Sequence, residues 1–309
     1  MSSRDLLERL RVARLHRQRS AVDLDRLVEA SVGLHSTDYA TPYLSAWARL
    51  PALDWAGLFA RLNAGDGLFR INAMRNTVHV VHARDVPVVL AATATAVGAV
   101  ARRVPGLKGL SEDALQAGIR SLDDALAGGP LTTNELKARL PALAADVRYW
   151  VMLAMSAGRV VRADSPHLRS NRTRYAAIAH RLPGFEPGAV DPAEARRTLL
   201  RRAVEAFGPL TVDDLSWWLP APKSEVARAL AAAGAAVRSV EADGATWWYP
   251  EELADAPSPP RESLGAWVLP YEDAFLKGYF DRRWLFAPGV REVVFPRSLE
   301  HWAPPEGVA

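Results

Sequence analysis

Residues 33–38 read Gly-Leu-His-Ser-Thr-Asp, so three side chains able to handle a water molecule, His35, Thr37 and Asp38, fall within four positions. A neutral imidazole, with an ordinary pKa of about 6.5, accepts a proton from water. A hydroxyl can hold that water, and a carboxylate can offer negative charge to a developing cation. These residue types suffice for a hydrolysis that runs on orientation and electrostatics. The same spacing also fits a polar turn between helices, with Thr37 or Asp38 capping the segment 42–50 and His35 a hydrogen-bonded interface residue. Both readings stand on these six residues alone.

The surrounding chain carries an internal echo. Gly-Gly-Pro-Leu-Thr-Thr-Asn-Glu-Leu begins at Gly128 and Phe-Gly-Pro-Leu-Thr-Val-Asp-Asp-Leu begins at Phe207, and their Gly-Pro-Leu-Thr signatures lie 79 residues apart. In each, a threonine precedes acidic residues and then apolar positions at helical spacing. That pattern predicts a short helix opened by a Thr cap, with acids favoured in its first turn. A Gly-closed helix is expected before each copy. After the second copy an Ala-rich helix is expected to end near Gly234, followed by two β-like runs around Asp243-Gly244, a strong hairpin pair.

Helix, turn, helix, helix and a two-stranded ribbon is the order of a winged helix. After the first copy, the segment 146–158 reads as a third helix and 159–179 as strand, long wing and strand. The N-terminal third lacks the signature but gives the same order, with helices expected in 2–16, 23–35 and 42–50 and β-like alternation over 67–85. Arg75, Thr77 and His79 alternate there, which would place them on one strand face, either lining a pocket beside His35 or facing solvent. His82 carries no signal beyond its position. Residues 255–270 are Pro-rich and read as a linker or loop.

Charge is distributed unevenly. The net charge is +3, with arginine supplying 34 of the 38 basic residues, as a GC-rich genome would favour. Between Arg159 and Arg181, however, six arginines face one acid, Asp164, a local excess that suits a polyanion. Arg169, Arg172 and Arg174 fall on the expected wing, as phosphate contacts or as a solvated loop. Trp217-Trp218 and Trp247-Trp248 read as core filling rather than base-stacking platforms.

An apolar fraction of 49% over 309 residues allows two or three compact units. No apolar stretch stands out at the roughly 20 residues of a membrane span, and the start lacks an apolar signal core, so a cytoplasmic protein without membrane partners is expected. Zero cysteines exclude disulfides, a thiolate nucleophile and Cys-based zinc sites. No histidine–carboxylate spacing suggests a metal, and no Gly-rich phosphate loop or Gly-x-Ser-x-Gly elbow is present, so no cofactor is expected.

Five ordered segments, within 32–50, 72–85, 129–140, 207–220 and 272–282, resemble the bacterial winged-helix DNA glycosylases of the AlkZ/YcaQ type. The resemblance implies an α+β, mostly α fold of three tandem winged-helix domains, at 1–105, 106–188 and 189–309, the last with a shortened C-terminal β-containing segment. It implies a monomer that binds double-stranded, damaged or alkylated DNA. It also implies hydrolysis of the N-glycosidic bond of alkylated or bulky-adducted purines, for repair or self-resistance. The family motif Gln-x-Gln or Gln-x-Asp after Gly-Leu is here His-Ser-Thr-Asp, so His35 and Thr37 take its two positions with Asp38 one step on. A non-catalytic DNA-binding relative is the alternative.

Overall fold

The computed structural model describes residues 1–285 apart from 20, 65–66, 166, 168–169 and 171. Arg169 and the expected C-terminal β-containing segment beyond 285 therefore lie outside the described residues.

One order of elements occurs three times. The first run comprises α2 (Leu24–Ala30), β1 (Leu34–His35), α3 (Thr41–Trp47), α4 (Trp55–Ala64) and the hairpin β2 (Leu68–Asn72) and β3 (Val78–His82). After α5 (Val86–Arg102) the second follows: α6 (Glu112–Leu126), β4 (Leu131–Thr132), α7 (Thr133–Arg139), α8 (Val147–Ser156), β5 (Val160–Arg162) and β6 (Arg174–Ala177). The single turn α9 (Ile178–Arg181) precedes the third: α10 (Pro192–Phe207), α11 (Val212–Trp218), α12 (Lys223–Ala232), β7 (Val237–Ala242) and β8 (Ala245–Pro250), closed by α13 (Glu251–Ala254).

The repeated signature does what its residue types dictate. Thr132 and Thr211 each cap the helix that follows, and Glu135 and Asp214 return a bond to the cap residue's own N–H, completing two capping boxes. The leucine before each cap pairs with the outer strand of its hairpin, Leu131 with Tyr175 and Leu210 with Trp248. At the β7–β8 turn Asp243 and Gly244 both adopt positive φ, 52° and 76°, as a two-residue hairpin of matching twist requires.

All strand pairs are antiparallel. The first two hairpins share one sheet, in the order β1-β3-β2-β5-β6-β4, joined where Arg70 of β2 meets Arg162 of β5. The third hairpin forms its own two-stranded sheet.

Three sequence expectations change. First, the N-terminal helix α1 (Ser3–Gln18) does not pack in the first run, whose third helix is instead α4. Leu7, Leu10 and Ala13 join Val240, Trp247 and Tyr249 of the third hairpin in one core cluster. Buried Arg14 donates to the carbonyls of Glu205 and Gly208, and Gln18 to that of Ala206, so α1 satisfies the open C-terminus of α10. Second, the helical residues Ala83–Arg102 are long and apolar enough to cross a membrane by length and composition. Within the fold Val86, Val89, Leu90 and Ala92 lie in one core cluster with Leu199, Ala203 and Val204 of α10. Third, β3 begins at Val78, so Arg75 and Thr77 lie in the turn before it rather than on the strand; Arg75 has φ 54°.

Candidate functional site

Gly33 enters β1 with φ +93°, and a Cβ there would stand 2.8 Å from Val81 Cγ1. Only glycine combines that backbone with that closeness. The turn delivers Leu34 opposite Val80 and His35 opposite His79 across the β1–β3 ladder. His35 thus occupies the place that Thr132 and Thr211 hold in the other two runs: after the paired leucine, before the helix.

Both histidines are buried and neutral. The His35 side chain has no solvent exposure, and its pKa is pushed down to about 3, chiefly by burial and then by the cations Lys277 and Arg75. His79 is held well below its ordinary value by burial, then by His35 and Arg75. The rings meet edge to face at 5.1 Å, and His79 Nδ1 lies 3.2 Å from the Thr77 carbonyl.

The group facing His35 comes from far along the chain. Glu272 Oε2 lies 3.2 Å from His35 Nε2, while Oε1 accepts a 2.9 Å ion pair from Lys277 Nζ. The histidine contact lacks hydrogen-bond geometry, leaving both His35 ring nitrogens buried without a partner. Buried polar atoms without a partner are costly and uncommon in folded proteins.

A strap of residues 267–282 carries Glu272 and Lys277 and is anchored at both ends. Asp273 accepts two bonds from Arg49 and one from Ser45. At the other end Tyr279 donates its hydroxyl to the Phe207 carbonyl, and the backbone N–H of Phe280 donates to Asp214. Burial raises the Asp214 pKa, opposed by hydrogen bonds from Thr211 and the strap.

The remaining turn residues are committed locally. Thr37 Oγ1 accepts the Val78 N–H at 3.1 Å, and Asp38 Oδ1 accepts the Ala40 N–H at 2.8 Å, closing the turn into α3. Both residues remain exposed. Neither Thr37 nor Asp38 caps the following helix as anticipated, since α3 starts without a side-chain cap; Asp38 instead closes the turn before it. Beneath the turn, buried Arg70 donates to Ser36 Oγ, Tyr39 Oη and the Leu62 carbonyl.

Among the described residues proposed to meet a polyanion, Arg75, Thr77, His79 and Arg174 are each engaged within the fold. Arg75 stacks on Trp217, 3.8 Å from the ring centre, and its Nη1 lies 3.3 Å from the Lys277 carbonyl. Burial and Arg282 push its pKa down to about 10. Thr77 donates back to Met74, and His79 is buried. Around the β5–β6 hairpin, Arg174 is paired with Asp164, Arg159 with Asp123, and Arg181 is bound to the Asn63 carbonyl. Arg172 is exposed. Trp218 and Trp247 are core, whereas Trp217 is the half-buried platform under Arg75.

Sequence reasoning missed Glu272, Lys277 and Arg70 as site residues. The first two stand inside the quoted segment 272–282, but nothing in their spacing points to a residue over 230 positions away.

This chain aligns structurally with the Streptomyces sahachiroi DNA glycosylase AlkZ at a TM-score of 0.72 and 18% identity, covering 93% of this chain and 81% of the other. At that identity the likeness establishes the fold alone. No functionally curated protein matches the chain. The family model described as "DNA glycosylase AlkZ-like" matches residues 28–305, spanning all three runs and the strap, and the chain therefore belongs to the AlkZ-like DNA glycosylase family.

Proposed function

We propose that the chain is a DNA-binding protein of three tandem winged helices and a monofunctional DNA glycosylase acting on alkylated or bulky-adducted purines. Family membership supports a glycosylase-related role. The threefold order of helix, leucine pair, two helices and hairpin supports the winged-helix reading. The boundaries 1–105, 106–188 and 189–309 separate these units, with α1 lent by the first to the third. A monomer in the bacterial cytoplasm engaging damaged duplex completes the reading.

The observation that carries the activity is the meeting of two remote family-like segments, the turn 33–38 and the strap 272–282, at the His35–Glu272 contact. An N7-alkylated purine is a cationic leaving group, so its glycosidic bond needs little acid assistance. The protein must present negative charge to the sugar and hold a water; the turn brings His35, Thr37 and Asp38 to this task and the strap brings the facing Glu272 carboxylate.

Base release from a duplex bearing 7-methylguanine tests this, with His35→Ala and Asp38→Asn beside the unaltered protein. Release that drops by orders of magnitude in a variant supports the site. Duplex binding without release, from methylated and bulky-adducted substrates alike, favours the second reading, a non-catalytic DNA-binding protein. Complete burial of His35 and the local engagement of Thr37 and Asp38 are the observations on its side.

A further inference from the structure

We propose that Glu272 is the catalytic carboxylate of this site and that His35 acts through it as a positioning residue. This deepens the glycosylase reading and rests on it.

The geometry separates Glu272 from the residues that the turn itself supplies. His35 has a side chain with no exposure, so a nucleotide cannot touch its ring in this arrangement. Thr37 Oγ1 is occupied by the Val78 N–H, and Asp38 Oδ1 by the Ala40 N–H. Glu272 is different. Its side chain is 22% exposed, so it reaches solvent while resting on a buried imidazole.

The imidazole is the independent observation. Of its two buried nitrogens without partners, Nε2 lies 3.2 Å from the Glu272 Oε2 oxygen, a distance that already permits a bond and lacks only the angle. A small turn of the carboxylate lets the neutral ring donate an N–H to Oε2. Lys277 fixes the other oxygen at 2.9 Å. Asp273, next in sequence, is locked to Arg49 and Ser45, so the backbone beneath Glu272 cannot drift. A carboxylate paired at one oxygen, seated against an imidazole at the other and held through its neighbour is preorganised charge, the form in which electrostatic stabilisation costs least at the moment of reaction.

The step balances without a cofactor. The C1′–N9 bond breaks and its electron pair leaves with the cationic base, which departs neutral. The positive charge passes to the sugar, opposite Glu272. Water oxygen then bonds to C1′, and its surplus proton goes to the Glu272 carboxylate and on to solvent.

The test is a binding comparison that needs no knowledge of the lesion. Two duplexes differ at one position, which carries either a neutral tetrahydrofuran abasic analogue or a pyrrolidine analogue whose ring nitrogen is cationic. The unaltered protein is expected to bind the cationic duplex at least about 10-fold more tightly, as transition-state mimicry requires. Glu272→Gln is expected to bind the two duplexes equally while keeping its affinity for the neutral one. Glu262→Gln, an exposed acid on the approach to the strap, keeps the preference. His35→Leu loses it and His35→Gln, which retains an N–H donor, restores it; a merely structural histidine would show no such rescue.

A preference that survives in Glu272→Gln, or that is lost in Asp38→Asn and kept in Glu272→Gln, overturns the assignment. Equal binding of both duplexes by the unaltered protein overturns it too and leaves DNA binding standing. Binding to neither duplex removes the proposed function itself, and the role of Glu272 with it.

Discussion

Arg49 and Asp273 join the turn just after helix α3 to the strap through two parallel hydrogen bonds of 2.8 and 2.7 Å, with both side chains almost wholly buried. The guanidinium also lies 4.7 Å from the Trp267 ring. A fork-to-fork pair of this kind carries geometric precision as well as energy, and here the precision is passed to the adjoining Glu272. Asp273→Asn leaves a buried cation without its counter-charge, an expected loss of about 3–5 kcal/mol. Urea unfolding of Asp273→Asn, Arg49→Met and the double variant measures it. The double variant should recover part of the loss, because neither charge is then left alone.

The buried histidines make stability fall with acid. The folded-state pKa of His35, about 3, lies below the unfolded value, and that of His79 is depressed in the same direction. Below about pH 6.5 the unfolded chain therefore binds protons that the folded chain refuses. Their contribution is complete above that pH and is lost as pH falls toward the folded value. Unfolding free energy should decline between pH 6 and pH 4 with a slope approaching ~1.4 kcal/mol per pH unit for each histidine. His35→Gln should remove one histidine's share of the slope, and an unchanged slope would contradict neutral burial.

Thr211 tests the repeated cap. Its hydroxyl accepts the Asp214 N–H and donates to the Asp214 carboxylate, which in turn receives the strap at Phe280. Thr211→Ala should cost about 1–2 kcal/mol, the upper part of the range for a lost cap, because a buried carboxylate loses a donor as well. Thr132→Ala, on an exposed box, should cost about 0.5–1 kcal/mol. Thermal unfolding of the two variants gives the ordering, and the reverse order would refute the account.

Wing charge should follow pairing rather than count. If the exposed guanidinium of Arg172 contacts phosphate, Arg172→Ala should reduce the log–log salt slope of duplex binding by about 0.9. Arg174 already faces Asp164, so Arg174→Ala should change the slope less, and Asp164→Asn should strengthen binding by freeing Arg174. Fluorescence anisotropy at several salt concentrations decides. Equal slopes for Arg172→Ala and the unaltered protein would place that arginine off the DNA.

Local chemistry was the legible part of the sequence. A threonine followed three positions on by an acid forms its cap wherever it occurs, and Asp243-Gly244 turns whatever flanks it. Partnership was not legible. The amphipathic pattern of α1 announces a buried face but cannot say that the face lies on β7 and β8. His35 showed a reactive residue type, yet the carboxylate facing it comes from the strap and its neutrality from burial. Six arginines in 23 positions suggested one patch, while Asp123, Asp164 and Asn63 draw three of them, Arg159, Arg174 and Arg181, to separate partners.

The missing cap in the first run has its own consequence. Where Thr132 and Thr211 pass directly into a helix, five residues separate His35 from the start of α3. That unit forgoes roughly 1 kcal/mol of local helix stability that its two siblings retain. Under the proposed function, two units keep the cap while the third releases the equivalent position to hold reactive groups, so stability and chemistry, usually in conflict at a single position, would be distributed over equivalent positions of one chain.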